Sequence, residues 1–67
     1  MKNKIREIRK DRKLTQDELA KKISVSRQTI NAIENDRYNP TLELAIELSQ
    51  ELEISIEELF LIKQKEK

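Results

Sequence analysis

Apolar residues recur along the chain at intervals of three and four, with no stretch of strict alternation, so the pattern predicts helices and no strands. Five helices are delimited by their start signals. The first covers about 3–13, with Ile5 and Ile8 on one side and Leu14 just beyond. Thr15 reads as an N-cap; Glu18 completes a capping box, and Leu14 with Leu19 makes a hydrophobic staple. The second helix then runs from Gln16 to Ile23 and buries Leu19, Ala20 and Ile23. Ser26 caps a third, Arg27 to about Asn35, stapled by Val25 and Ile30. Residues 35–40, ending in Pro40, read as a loop. Thr41 caps a fourth helix, Leu42 to about Leu52. Ser55 with Glu58 caps a fifth, Ile56 to about Ile62, with Ile54 and Leu59 as its staple. Residues 63–67 form a charged tail expected to fray. The expectation is one compact all-α domain of five helices with short connections.

The second and third helices are joined by little more than Ser24 and Val25, the layout of a helix-turn-helix, whose second helix enters the major groove of DNA. At ~100° per residue from Arg27, Asn31 lies at ~40°, Asn35 at ~80° and Gln28 at ~100°, while Ile33 and Ile30 fall at ~240° and ~300°. One face is fit to pack. The other carries forked hydrogen-bonding groups and no acid, where a merely solvated face leans on Glu and Lys. Arg donates bidentately to guanine O6 and N7, and Gln or Asn pairs with adenine N6 and N7.

Composition narrows the chemistry. The chain has 67 residues, and Ile and Leu supply 17 of its 24 hydrophobic ones, so the core is aliphatic. It has no Cys and no His, which removes disulfides, zinc fingers and the Ser-His-Asp triad. It has no Gly, which removes glycine-rich phosphate loops. So small a chain hardly walls off a substrate pocket, and neither enzyme activity, cofactor, metal nor small-molecule ligand is expected. The longest apolar run, 59–62, is too short to cross a bilayer, and no signal peptide is visible. A soluble cytoplasmic protein is expected. The net charge of +1 hides a split: residues 1–38 carry 11 basic and 6 acidic residues, residues 39–67 carry 3 and 7. A basic half joined to an acidic half suggests one surface facing a polyanion and another facing away.

The run from Leu14 to Asn35, with Thr15, Gln16, Glu18, Leu19, Ala20, Ile23, Val25, Ser26, Arg27, Gln28, Thr29, Ile30, Ile33 and Glu34 at their spacings and Asn39-Pro40-Thr41 following, resembles the Cro/cI-type helix-turn-helix regulators of bacteria and phages. The resemblance covers about residues 3–62 and is nearest to minimal stand-alone members. It implies a lambda-repressor-like fold and double-stranded DNA as partner. It implies base contacts from Arg27, Gln28 and Asn31, with Ala32 able to touch a thymine methyl. Thr29 matches a position that contacts base edge or phosphate, or else serves the helix start alone. Phosphate contacts are implied for Gln16, Ser26, Asn35, Arg37, Tyr38 and Asn39. Asn35 is also a natural left-handed C-cap in a chain without glycine. Arg9 and Glu34 match an ion pair between the first and third helices. Lys2, Lys4 and Lys10 add diffuse attraction or stay merely solvated. Ser24 and Asp36 stand where the family often has Gly, at a cost of about 1 kcal/mol each if left-handed.

The apolar stripe of the fourth helix is wider than one core contact needs, and the fifth offers Ile56, Leu59 and Phe60 inward, which leaves Leu61 and Ile62 without an obvious home. The surplus reads as a homodimer interface at Leu59, Phe60, Leu61 and Ile62, or else as closure of a small core. A dimer expects an inverted-repeat operator. The rival is a protein-binding module of antitoxin or accessory type, for which the tail offers little chain.

Overall fold

The structure, a computed structural model, describes residues 2–60. Five helices follow one another: α1 (Ile5–Asp11), α2 (Gln16–Lys22), α3 (Arg27–Glu34), α4 (Leu42–Leu52) and α5 (Ile56–Leu59). No strand occurs among the described residues. α1 begins two residues later than its pattern predicts because residues 3 and 4 have another task. The Asn3 side chain accepts from the Ile5 N–H (3.0 Å) and donates to the Ile33 carbonyl (2.8 Å), while the Lys4 N–H donates to the Leu59 carbonyl (2.7 Å). The start of the chain is thus a strap across the ends of α3 and α5.

The caps form where the sequence places them, but of the two expected capping boxes only the first is complete. Thr15 and Glu18 exchange both bonds of a capping box. Ser26, Thr41 and Ser55 each accept from the N–H three residues on. At Ser55 the Glu58 carboxylate accepts from the cap hydroxyl, 3.4 Å away.

One cluster from all five helices makes the core. Ile5, Leu19, Ala20, Ile23, Ile30, Ile33, Ala45, Leu48, Leu52, Leu59 and Phe60 are buried together. Burying an aliphatic side chain contributes roughly 1.5–3 kcal/mol, which makes this set the main source of stability. Leu59 and Phe60, expected at an interface between two copies, are 0% and 2% exposed within a single chain. They close the core between α4, α5 and the strap, and keep no surface for a partner. Leu61 and Ile62, the end of the fifth helix beyond Phe60 and the tail lie outside the described residues.

The turns solve a problem that a glycine-free chain poses. Lys13, Ser24, Asp36 and Glu53 have φ of 59°, 61°, 63° and 57°, the left-handed region. Each follows a helix and completes a Schellman motif. The bonds are Leu14 N–H to Arg9 (3.0 Å), Val25 N–H to Ala20 (3.0 Å), Arg37 N–H to Ala32 (2.9 Å) and Ile54 N–H to Ser49 (3.1 Å). Asn35, expected to be left-handed, has φ −93° and ψ 12°; the left-handed residue is Asp36, one place later. At three joints the same order recurs: a left-handed residue, an aliphatic one, then a Ser or Thr cap. These are Lys13-Leu14-Thr15, Ser24-Val25-Ser26 and Glu53-Ile54-Ser55. The aliphatic residue packs on the core and closes one helix while stapling the next. The joint after α3 departs from this order and continues through exposed Arg37 and Tyr38 to Pro40.

Candidate nucleic-acid interface

Leu19 and Ala20 of α2 and Ile30 and Ile33 of α3 are buried in the common core, and the left-handed Ser24 turns the chain between the two helices. With Ile30 and Ile33 inward, the opposite arc of α3 faces outward. Arg27, Gln28, Asn31 and Asn35 are all exposed, and Thr29 and Ala32 lie at its half-buried edges. Ser26, Arg27, Gln28 and Asn31 line one concave surface. Ser26 Oγ accepts from the Thr29 N–H (3.1 Å), and the two hydroxyls bond each other at 2.9 Å, so the start of α3 is closed before any ligand arrives.

The inner edge of α3 is fixed by Glu34. Its side chain is fully shielded, yet its carboxylate accepts from Arg9 Nε (2.7 Å) and Nη2 (3.2 Å), from Gln16 Nε2 (3.0 Å) and from Arg6 Nε (3.5 Å). Burial by itself would raise the Glu34 pKa. The hydrogen bonds from Arg9 and Gln16, the Arg9 charge and the Arg6 bond outweigh it and hold the group below its ordinary 4.5. Arg9, itself buried, also donates Nη1 to the Leu14 carbonyl (2.8 Å). One carboxylate thereby ties α1, α2 and α3 together and sets the orientation of α3.

Gln16 therefore has two duties. One amide N–H is bound to Glu34; its second N–H and its carbonyl are left for a ligand. It lines a second concave surface with Lys10, Lys13, Thr15 and Arg27, so Arg27 borders both concavities. Lys13 was not singled out from the sequence, and Lys10 only as diffuse charge. Their gathering beside Gln16 and Arg27 follows from the way the α1–α2 joint turns the chain, which helical spacing does not signal. Arg6 was missed as well. Its Nη2 donates to Asn35 Oδ1 at 2.8 Å, a contact across 29 positions that periodicity does not signal. Arg37, Tyr38 and Asn39 are exposed on the loop after α3.

α4 and α5 present acid instead: Glu43, Glu47, Glu53, Glu57 and Glu58 are exposed, and Glu53 and Glu51 pair with Arg12 (2.9 Å) and Lys22 (3.7 Å). Among the described residues there is no cluster of metal-ligating side chains and no helix long and apolar enough to cross a membrane.

Comparison with known proteins agrees with this geometry. The helix-turn-helix family pattern matches residues 5–59. An uncharacterised HTH-type transcriptional regulator of Methanocaldococcus jannaschii is 46% identical over 66 residues, 98% of this chain and 100% of that protein. The uncharacterised HTH-type transcriptional regulator YgzD of Bacillus subtilis is 34% identical, over 96% of this chain and 97% of its own. An immunity repressor protein of Bacillus phage phi105 shares 56% identity over 39 residues, 58% of this chain but 27% of that repressor. Archaea thus join the bacteria and phages in which such proteins were expected. By fold, by the buried and exposed faces of α3 and by these relatives, the chain belongs to the Cro/cI-type helix-turn-helix family of DNA-binding transcriptional regulators.

Proposed function

We propose that this protein is a sequence-specific, dimeric, cytoplasmic repressor that occupies an inverted-repeat operator through the major groove. The observation that carries the reading is the acid-free arc of Arg27, Gln28 and Asn31, exposed on a helix whose other side is locked by Ile30, Ile33 and Glu34. A reading helix must be rigid to discriminate, and here α1 and α2 hold it through Glu34. In this reading Arg27, Gln28 and Asn31 meet base edges, with Thr29 and Ala32 beside them. Gln16, Ser26, Asn35, Arg37, Tyr38 and Asn39 meet phosphates, joined by Lys10 and Lys13. Blocking a promoter by occupancy needs no further chemistry.

A dimer is the finer part of the reading. One small domain makes few contacts, and two half-sites combine them. With Leu59 and Phe60 inside the core, the apolar surface among the described residues that supports this part of the reading is on α4, where Leu42 and Ile46, one turn apart, are 73% and 38% exposed.

The test is selection of bound sites from random duplexes at ~150 mM salt, which suppresses non-specific phosphate binding. The expected product is an inverted repeat with half-sites about 34–36 Å apart, one helical turn. Weak, salt-sensitive binding with no enriched sequence would overturn the reading, and a stable complex with a partner protein in its place would favour a protein-binding module.

A further inference from the structure

A chain of hydrogen bonds runs from the surface of α1 to the middle of the exposed arc of α3. Arg6 is held to the buried carboxylate by its Nε, 3.5 Å from Glu34, and its Nη2 reaches Asn35 Oδ1 at 2.8 Å. Asn35 Nδ2 donates to the Asn31 backbone carbonyl at 2.9 Å and to Asn31 Oδ1 at 3.3 Å. The orientation of each amide is fixed by chemistry. A guanidinium has donors only, so Asn35 must turn its oxygen to Arg6. Its nitrogen then faces the Asn31 carbonyl, which only accepts, so two independent partners demand the same orientation. That nitrogen in turn demands the oxygen of the Asn31 amide. Asn31 is left with both N–H donors unbonded and one of its oxygen lone pairs occupied.

We infer that Arg6, acting through Asn35, is a specificity-determining positioning residue: it makes Asn31 a donor, so that Asn31 selects guanine rather than adenine. An amide that reads adenine must bring its oxygen to the N6 donor as well as its nitrogen to N7, and here the oxygen is turned towards Asn35; guanine offers two acceptors, N7 and O6, to the nitrogen alone. A surface carboxamide without this relay turns either way and has no such bias. The inference rests on the base-reading role proposed above for Asn31 and revises the adenine pairing that residue type alone suggests.

The test repeats the site selection with the full chain and with Asn31→Ala, Gln28→Ala, Asn35→Ala and Arg6→Met. The position of the half-site that Asn31→Ala flattens is the one Asn31 reads. The unsubstituted protein is expected to prefer guanine to adenine there by ~10-fold, within the range of one good base contact. In Asn35→Ala and Arg6→Met that ratio falls towards one, while preferences at the positions read by Arg27 and Gln28 stay. Overall affinity of Asn35→Ala falls too, since Asn35 is a proposed phosphate contact, and the ratio at one position separates the two effects. Adenine preferred at that position, or a ratio unchanged in both variants, overturns the inference. If Gln28→Ala flattens a position and Asn31→Ala flattens none, base reading stands and the inference alone fails. If no sequence is enriched, both fail. The relay is also read without DNA: in the free protein, Arg6→Met is expected to shift the Asn35 and Asn31 side-chain amide resonances and speed exchange of their protons. Amide signals indifferent to Arg6→Met would overturn it. Circular dichroism melting checks that each variant is folded.

Discussion

Glu34 shows how much one side chain carries in a small domain. Removing Arg9 leaves a shielded carboxylate short of its main partner, and breaking such a pair costs about 3–5 kcal/mol. A chain of this length has only roughly 3–10 kcal/mol of stability in all. Arg9→Ala is therefore expected to lose about a third or more of the total stability, as urea titration followed by circular dichroism would record. The pH dependence follows from the same group. Because its folded pKa lies below its ordinary 4.5, its contribution is fully present above that value and is lost as pH falls through the lowered one. In Glu34→Gln the fall of the melting temperature below pH 4.5 should be shallower than in the unsubstituted protein. Gln28→Ala belongs to the other face of α3: it should leave the melting temperature in place, weaken operator binding by ~1–3 kcal/mol and flatten one base position. The inward side of α3 was legible because Glu34 flanks Ile30 and Ile33 on the helical wheel. Gln16 as its second partner was not, since the family pattern gives that residue an outward duty and spacing is silent on contacts between helices. Arg6 and Asn3 escaped for the same reason: their partners lie about 30 positions away.

At the scale of the element, the helices were legible in their starts and less so in their ends. A Ser or Thr cap is a local signal, and Thr15, Ser26, Thr41 and Ser55 cap the helices their positions predict. Glycine commonly marks such ends, and this chain has none: Ser24 and Asp36 were legible because they stand where the family often has Gly, while Lys13 and Glu53 carry no such sign. Each left-handed residue costs a side chain with a Cβ about 1 kcal/mol. Ser24→Gly should thus raise stability by ~0.5 kcal/mol after the entropy glycine adds to the unfolded chain, or ~2–4 °C in melting temperature. Ser24→Val, with its branch at Cβ, should lower stability by more than ~1 kcal/mol. If both variants melt alike, backbone strain at this turn is not what limits it. The fate of the fifth helix was the hardest to read. An apolar run at the end of a helix looks the same whether it closes a core or meets a second copy; for Leu59 and Phe60 the packing gives core closure.

For the whole molecule, the acid lies on α4 and α5, which carry no base, while the excess of base lies in α1, in the residues before it and at the joints with Arg12, Lys13 and Arg37. Of the proposed phosphate contacts only Arg37, Lys10 and Lys13 are cations. About three per protomer, at ~0.9 counterion each, gives a slope of log affinity against log salt near −5 for a dimer. Fluorescence anisotropy across a salt series reads this directly; a slope near −2 would remove the lysines from the interface, and Lys13→Ala should bring it to about −3.5. The joints between helices carry a different consequence. Where one aliphatic side chain both ends a helix and begins the next, chain length is fixed to the residue. Two residues inserted after Ser24 would pull Val25 from the core and undo both helices at once. The joint after α3 has no such anchor at Arg37 or Tyr38, and there the same insertion should be absorbed. Among the four joints between the described helices, the one proposed to meet the DNA backbone is thus the one that can change length, which would let the grip on DNA vary while the core stays as it is.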